Sequence, residues 1–276
     1  MNNDRETAQP GDLVQLVGQT HKHFIVRLSP GSQLQTHRGI IYHDDLIGKP
    51  WGSEIFSHLG KPFYLFQPSL SDLILNIRRT TQIIFPKDVG YILVKMGIMP
   101  GQTVVEAGTG SGALTTALAF AVGSTGQVVT YEIRSEMIEL ARRNLEAFGL
   151  AERTIFKHRD IRDGFDETNV PALFMDIPRP QDYLTQVRAT LSPGGFFGCI
   201  LPTTNQVSEL LTALHRENFA FVEVCELLLR FYKPAAERLR PTDRMVAHTG
   251  YLVFARPIIA SDDNTSLKAD LLEKGA

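Results

Sequence analysis

Residues 103–112 read TVVEAGTGSG, and how this stretch is parsed decides the fold. Val104 and Val105 are β-branched and apolar, the composition of a buried strand. Glu106 closes that strand, and Gly108, Gly110 and Gly112 alternate through the turn that follows. Alternate glycines permit a tight bend and leave bare backbone for a ligand to lie against. From Ala113 and Leu114 to Ala121 the chain is apolar, so Ser111 and Gly112 fall where a packed helix begins and offers free N–H groups. Taken alone, the stretch also fits a tight strand-to-helix turn with no ligand.

The next acid narrows the reading. Residues 127–131, QVVTY, form a second apolar strand that Glu132 terminates. An acid roughly 20 residues beyond a glycine turn holds ribose hydroxyls in nucleotide-type α/β folds. This spacing fits NAD as well as S-adenosylmethionine. Glu106, placed before the glycines, favours the second: a carboxylate repels a pyrophosphate but attracts an ammonium and a sulfonium. The predicted elements then alternate. A helix over 135–148 carries a stripe of Ile138, Ala141 and Leu145, with Arg142 and Arg143 facing out. A third strand over 153–158 ends near Asp160, and a fourth over 172–175 ends at Asp176. A helix over 180–190, the strand GFFGCILP and a helix over 204–217 follow. Two long strands, 220–232 and 246–257, close the chain as a hairpin around the basic segment 233–244. The pattern predicts an α/β fold: a seven-stranded, doubly wound, Rossmann-like methyltransferase sheet with an antiparallel final strand.

Upstream, the texture differs. Residues 1–9 are polar and expected to form a flexible tail, as are residues 261–276. Residues 10–67 contain short strand-like pieces, LVQLV, HFIVRL, RGIIYH and PFYLFQ, and predict a small β-barrel-like domain; residues 68–260 are assigned to the methyltransferase domain. His21, His23, His37, His43 and His58 all fall in the small domain, but none has the spacing of a zinc site, and no metal is expected. Lys22, Arg27, Arg38, Lys49 and Lys61 are interleaved there, which leaves a nucleic-acid surface as an alternative to an ordinary solvated one. A helix over 69–79 can be capped by Ser69 or Ser71, and Pro86 suits the start of another. Residues 82–85, from Gln82 to Phe85, then lie before the glycine loop, where they can cover a cofactor. The net charge is −2, so any basic surface must be local. Two cysteines in apolar surroundings, Cys199 and Cys225, suggest a reduced, cytoplasmic protein. No signal peptide and no membrane-spanning run are expected.

Four acids at four successive strand ends predict a division of labour, with a plain capping or surface role as the alternative for each. Glu132 accepts from the ribose hydroxyls. Asp160 accepts from the adenine amino group, with Ile161 and Met137 against the ring. Glu106 orders the loop and faces the cation. Asp176, in DIPRP, stands nearest the reaction centre. Enzymes that methylate exocyclic amino groups follow the acid or amide with Pro-Pro and an aromatic, whereas Arg179 occupies that place here. An aspartate without the aromatic clamp suits a ring nitrogen such as adenine N1, which has a lone pair and no proton to lose. It would orient the base through the neighbouring amino group and stabilise the cation formed.

QIIFPKD, VVEAGTGSGALT, YEIRSEM, MDIPRP, LPTTNQV and RMVAHTGYLV together resemble the tRNA (adenine-N1)-methyltransferases that modify position 58 of the T-loop. The resemblance covers about residues 10–258. It implies S-adenosylmethionine as donor, a homotetramer, cofactor contacts at Ser111, Gly112, Ala113, Leu114, Glu132, Met137, Asp160 and Asp176, and Asp176 as the key active-site residue. Two positions depart from the family pattern. Phe85 stands where a tyrosine is common, keeping a ring for stacking, and no tryptophan follows DIPRP, so Tyr183 is the candidate replacement. Arg238 and Arg240 are candidate grips on the tRNA backbone, against the alternative that they pair with Glu226, Glu237 and Asp243. The other functional readings are a methyltransferase acting on protein or a small molecule, and a non-catalytic tRNA-binding paralogue.

Overall fold

A computed structural model describes residues 6–18 and 22–259. They fall into two compact units: one reaches Ile77 and includes Glu146–Gly149, and the other contains the rest. The expected boundary at 67/68 therefore moves, and the first helix counts with the first unit.

In the first unit, β1 (Leu13–Gly18), β2 (His23–Arg27), β3 (Gln33–Thr36), β4 (Gly39–Tyr42), β5 (Glu54–Phe56) and β6 (Pro62–Phe66) precede α1 (Leu70–Asn76). The order β2-β1-β6-β5 gives a four-stranded antiparallel sheet, and β3 and β4 pair separately. Alternation along β6 buries Phe63 and Leu65 with Val14, Leu16 and Ile41. Residues 6–9 correct the expected tail: Ala8 is fully buried and exchanges backbone hydrogen bonds with Lys49 and Gly48. Residues 1–5, His21 and the predicted tail at 261–276 lie outside the described residues. His43 is buried and its Nδ1 accepts from the Ser29 N–H, while the Nδ1 of His58 accepts from Ile40. These two rings hold loops. Among the described residues no group of His, Cys, Asp and Glu could hold a metal ion. Ser69 caps α1 in a reciprocal box with Asp72.

The second unit runs α2 (Pro86–Lys95), β7 (Thr103–Ala107), α3 (Ala113–Ala121), β8 (Gln127–Glu132), α4 (Ser135–Phe148), β9 (Thr154–His158), β10 (Val170–Met175), α5 (Leu184–Thr190), β11 (Leu191–Leu201), α6 (Thr204–Arg216), β12 (Phe219–Cys225), β13 (Tyr232–Lys233), β14 (Arg240–Pro241) and β15 (Tyr251–Pro257). Seven strands take the order β12-β15-β11-β10-β7-β8-β9, with only β15 antiparallel to its neighbours. The chain leaves β7 towards β8 and β9, then returns to the other side of β7 with β10. The strand order thus reverses between β7 and β10, where ligands bind in open α/β sheets. Central strands are continuous apolar runs because both faces are covered; Val105, Val129, Leu173 and Phe197 are buried in one core. Thr203 caps α6 through the Gln206 N–H, and Val207, Leu210 and Leu214 form its buried stripe. No helix among the described residues is long and apolar enough to cross a membrane.

The two closing strands pair antiparallel as expected but are shorter: β12 stops at Cys225 and β15 starts at Tyr251, leaving 226–250 with the two-residue pair β13–β14 and a single 3-10 turn at Ala236–Arg238. Leu228, Leu229 and Phe231 read as strand but are exposed, since the last pairing of β12 is Cys225 with Leu252 and no sheet continues beyond it. Phe221 at φ +54° adds an irregularity between Ala220 and Glu223.

Candidate active site

The ends of β7, β8 and β10 are stitched together by backbone bonds beyond the strands: Gly108 N–H to the Tyr131 carbonyl, 2.9 Å, and Asp176 N–H to the Ala107 carbonyl, 2.8 Å. Above them opens a crevice of about 770 Å³. The glycines serve it differently. Gly108, at φ +94°, lies so close to the Asp176 carbonyl that an added Cβ would sit 2.1 Å from its oxygen. Gly110, at φ +52°, has nothing within 4 Å of the same position, so its bare backbone faces open space. At Gly112 a Cβ would press on Ala141 and Leu145, so this residue brings the glycine turn close against α4.

Glu132 lines the crevice and is the most heavily engaged of the acids. Its Oε1 accepts from the Ile133 and Arg134 N–H groups, each at 3.1 Å, and from Arg134 Nε at 3.0 Å. Its Oε2 accepts from Gly110 N–H at 3.1 Å and Arg134 Nη2 at 3.2 Å. Burial pushes this carboxyl up, but the Arg134 side chain and the backbone donors outweigh burial and hold it below the ordinary value. Asp176 is exposed to the crevice and enclosed by protein elsewhere. That enclosure, and then the charge of Glu132, push it up to about 6 against the opposing pull of Arg134. Asp160 also lines the crevice, and its Oδ1 accepts from the Arg162 N–H at 2.8 Å.

Glu106 departs from its expected role. It is 1% exposed and absent from the crevice wall, so it does not face a bound cation. Its Oε2 accepts from the hydroxyls of Thr115 at 2.5 Å and Thr130 at 2.6 Å, and Thr109 and Thr130 share a further bond at 2.6 Å. Burial raises Glu106 to about 8, overcoming both hydroxyls. Glu106 stands in register with Thr130, two residues short of Glu132, so it lies deeper in the sheet; the strand-end pattern alone does not give that register.

Of the other predicted residues, Gln82, Gly108, Gly110, Ile161 and Tyr183 line the crevice. Ser111, Gly112, Ala113, Leu114 and Met137 lie outside its wall, and the side chains of Ser111, Ala113, Leu114 and Met137 are buried. Phe85 is the N-cap of α2 and is also outside the wall. Arg238 and Arg240 stand in the exposed segment beyond β12; Arg240 pairs with Asp243 at 3.0 Å, as does Lys233 at 2.6 Å. The sequence reading did not name Arg134, Ile200, Pro202 and Gln206 as site residues, and they are among the further residues of the wall. The last three follow from the rule that the carboxyl ends of strands make the site, applied to β11; for Arg134 no signal distinguishes it from a solvated arginine.

The chain resembles known proteins over most of its length. Residues 62–239 match the model of the tRNA methyltransferase complex GCD14 subunit, and residues 8–55 that of the TrmI-like N-terminal domain. The tRNA (adenine(57)-N(1)/adenine(58)-N(1))-methyltransferase TrmI of Methanocaldococcus jannaschii is 36% identical over 74% of this chain and 82% of its own. TrmI of Thermus thermophilus, a tRNA (adenine(58)-N(1))-methyltransferase, is 30% identical over 90% of this chain and 98% of its own. The crystal structure of tRNA (m1A58) methyltransferase TrmI from Aquifex aeolicus superposes with a TM-score of 0.77 at 37% identity, over 92% of this chain and 100% of that one. That of a SAM-dependent O-methyltransferase from Thermotoga maritima gives a TM-score of 0.85 at 44% identity, over 94% and 97%.

Proposed function

Because the chain belongs to the family of tRNA (adenine-N1)-methyltransferases, we infer that it transfers a methyl group from S-adenosylmethionine to N1 of adenine 58 in tRNA, in the crevice at the carboxyl ends of β7, β8 and β10. The donor set supports that placement: Glu132 for hydroxyls, bare backbone at Gly110, Asp160 with its Oδ2 3.9 Å from Arg162, and Asp176 exposed in the crevice. When bound, S-adenosylmethionine supplies an electrophilic methyl and a positive charge. Glu132 and Asp160 are the groups that would hold the two ends of its nucleoside, and Gln82 would cover it.

Asp176 carries the substrate half of the reading. A carboxylate there accepts a hydrogen bond from the adenine amino group, which turns N1 toward the donor and favours the positive charge that develops on the ring. Holding the reactants in register is worth on the order of 7–11 kcal/mol of the barrier. The target base is stacked in the T-loop and must turn out to reach the crevice; Phe85 and Tyr183 are the rings proposed to receive it. Arg238 and Arg240 are proposed to hold tRNA phosphates, the ion pair of Arg240 with Asp243 being exposed and weakly held. A homotetramer working in the cytoplasm completes the proposal. Light scattering that gives the 30.8 kDa monomer at micromolar concentration would overturn that assembly.

The test is direct. Unmodified tRNA incubated with the protein and isotopically labelled donor should yield labelled 1-methyladenosine, read by mass spectrometry of its nucleosides. Label confined to another nucleoside, or found only on protein, would refute the assignment.

A further inference from the structure

Two motifs singled out in the sequence, PKD at 86–88 and HTG at 248–250, have no part in the reading above, yet they meet in space. The Asp88 side chain is 1% exposed and that of Lys87 10%. Lys87 Nζ donates to Asp88 Oδ1 at 2.7 Å and to Thr249 Oγ1 at 2.5 Å, and Thr249 Oγ1 donates to Asp88 Oδ2 at 2.8 Å. The neighbouring His248 has its Nε2 3.0 Å from the carbonyl of Pro202, a residue of the crevice wall, and its Nδ1 2.9 Å from Glu226. A buried ion pair adds little net stability over an apolar replacement of the same volume. Its presence points instead to the geometry it imposes.

That geometry concerns residues 78–85, which run without helix or strand along the crevice and contribute Thr81 and Gln82 to its wall. The start of this strap is fastened by Asn144, 4% exposed. Asn144 Oδ1 accepts from Arg78 N–H at 3.2 Å, and its Nδ2 donates to the carbonyls of Arg78 at 2.8 Å and Ser111 at 2.9 Å. One amide thus ties the strap to the glycine loop. The far end, where Phe85 caps α2, has no side-chain cap of its own and is fastened two residues on, by Lys87 and Asp88. We propose that Lys87, Asp88 and Thr249 are positioning residues: with Asn144 they stretch the strap between two buried anchors and set Gln82 against the cofactor. The proposal rests on the crevice being the cofactor site.

Thr249→Val removes the bridging hydroxyl at nearly constant volume, and Thr249→Ser keeps it. Hydrogen exchange of amides 79–85 should quicken roughly tenfold in the valine variant and stay within about twofold in the serine variant, with exchange in α4 unchanged. The dissociation constant of the demethylated cofactor, by calorimetry, should rise about tenfold in the valine variant and recover with serine. Combined with Gln82→Ala, the valine substitution should add little further loss, because both act through one contact. A lowered Tm with unchanged strap exchange and cofactor affinity would make the triad a stabilising feature only and overturn the proposal. Faster strap exchange with unaltered affinity would overturn it as well. Failure of the unmutated protein to bind the cofactor at all would instead remove the crevice reading on which it stands.

Discussion

The two sides of the crevice are built to different standards. On the proposed cofactor side Glu132 receives three backbone donors, Glu106 is locked by two threonine hydroxyls below the glycine turn, and Asn144 joins three segments, all in buried surroundings. On the side proposed for the substrate, Arg179 is held to Asp182 at 2.7 Å and, in the exposed segment beyond β12, Arg240 to Asp243 at 3.0 Å, with every partner more than two-fifths exposed. Buried, fully satisfied networks resist rearrangement, whereas exposed pairs contribute on the order of 0–1 kcal/mol and yield to a competing anion. In the proposed reading, a small cofactor of fixed shape would meet a largely preformed backbone seat, and a large, charged, deformable tRNA would meet side chains that can change partners.

Substitutions on each side should separate these roles. The largest effect is expected where the sides meet. Asp176→Ala and Asp176→Asn should each lower single-turnover formation of 1-methyladenosine by about 10²–10³-fold, the scale of one pre-organised electrostatic group, while tRNA affinity stays within about threefold. Near-normal turnover in the alanine variant would move the critical group elsewhere. Next, Glu132→Ala should weaken cofactor binding by roughly 1.5–3 kcal/mol, as expected for bonds to a charged acceptor; unchanged calorimetric affinity would dissolve the contrast on the cofactor side. On the other side, replacing Arg238 and Arg240 together should reduce the logarithmic salt dependence of tRNA binding by about two while cofactor affinity holds. An unchanged slope would place the phosphate grip on other residues.

The smallest effect is on stability and sharpens the role of Glu106. Its ordinary value of 4.5 is raised to about 8 in the folded protein, so the folded state binds the extra proton. Between those values stability therefore falls as pH rises, and below 4.5 the penalty vanishes. Glu106→Gln cannot titrate, so its Tm relative to the parent should climb by several degrees from pH 5 to pH 8. A pH-independent difference would show that Glu106 keeps its charge when buried.

The glycine turn, the strand-end acids and the alternation from β7 to α6 were legible because each is local: a period, a breaker, a residue type at an end. The seven-stranded, doubly wound layout with an antiparallel final strand followed from the alternation and the two closing strands. What escaped were consequences of packing. The apolar run at 228–231 reads as a strand until the sheet is found to end at Cys225 and Leu252. Glu106 and Glu132 share a sheet face, but Glu106 stands in register with Thr130, two residues short of Glu132, so the first lies buried beneath the glycine turn and the second reaches the crevice. Asn144 appears in sequence as one polar residue on a helix, and nothing local marks it as the residue that fastens residue 78 to the cofactor loop. Ala8 lies in a polar stretch, and its anchoring depends on a loop some 40 residues away, which no local pattern reveals.

If Glu132 seats the cofactor as proposed, its saturation makes cofactor capture a substitution reaction. A carboxylate offers about four lone-pair directions, and the donors already present fill them. Ribose hydroxyls can be accepted only as Arg134 Nε and Nη2 withdraw; the Gly110, Ile133 and Arg134 amides stay. The arginine, 47% exposed, has water to retreat to. Hydrogen bonds made and lost nearly balance, so the heat released at this carboxylate should be small. Added salt, which screens the departing ion pair, should ease cofactor entry under the conditions that drive tRNA off.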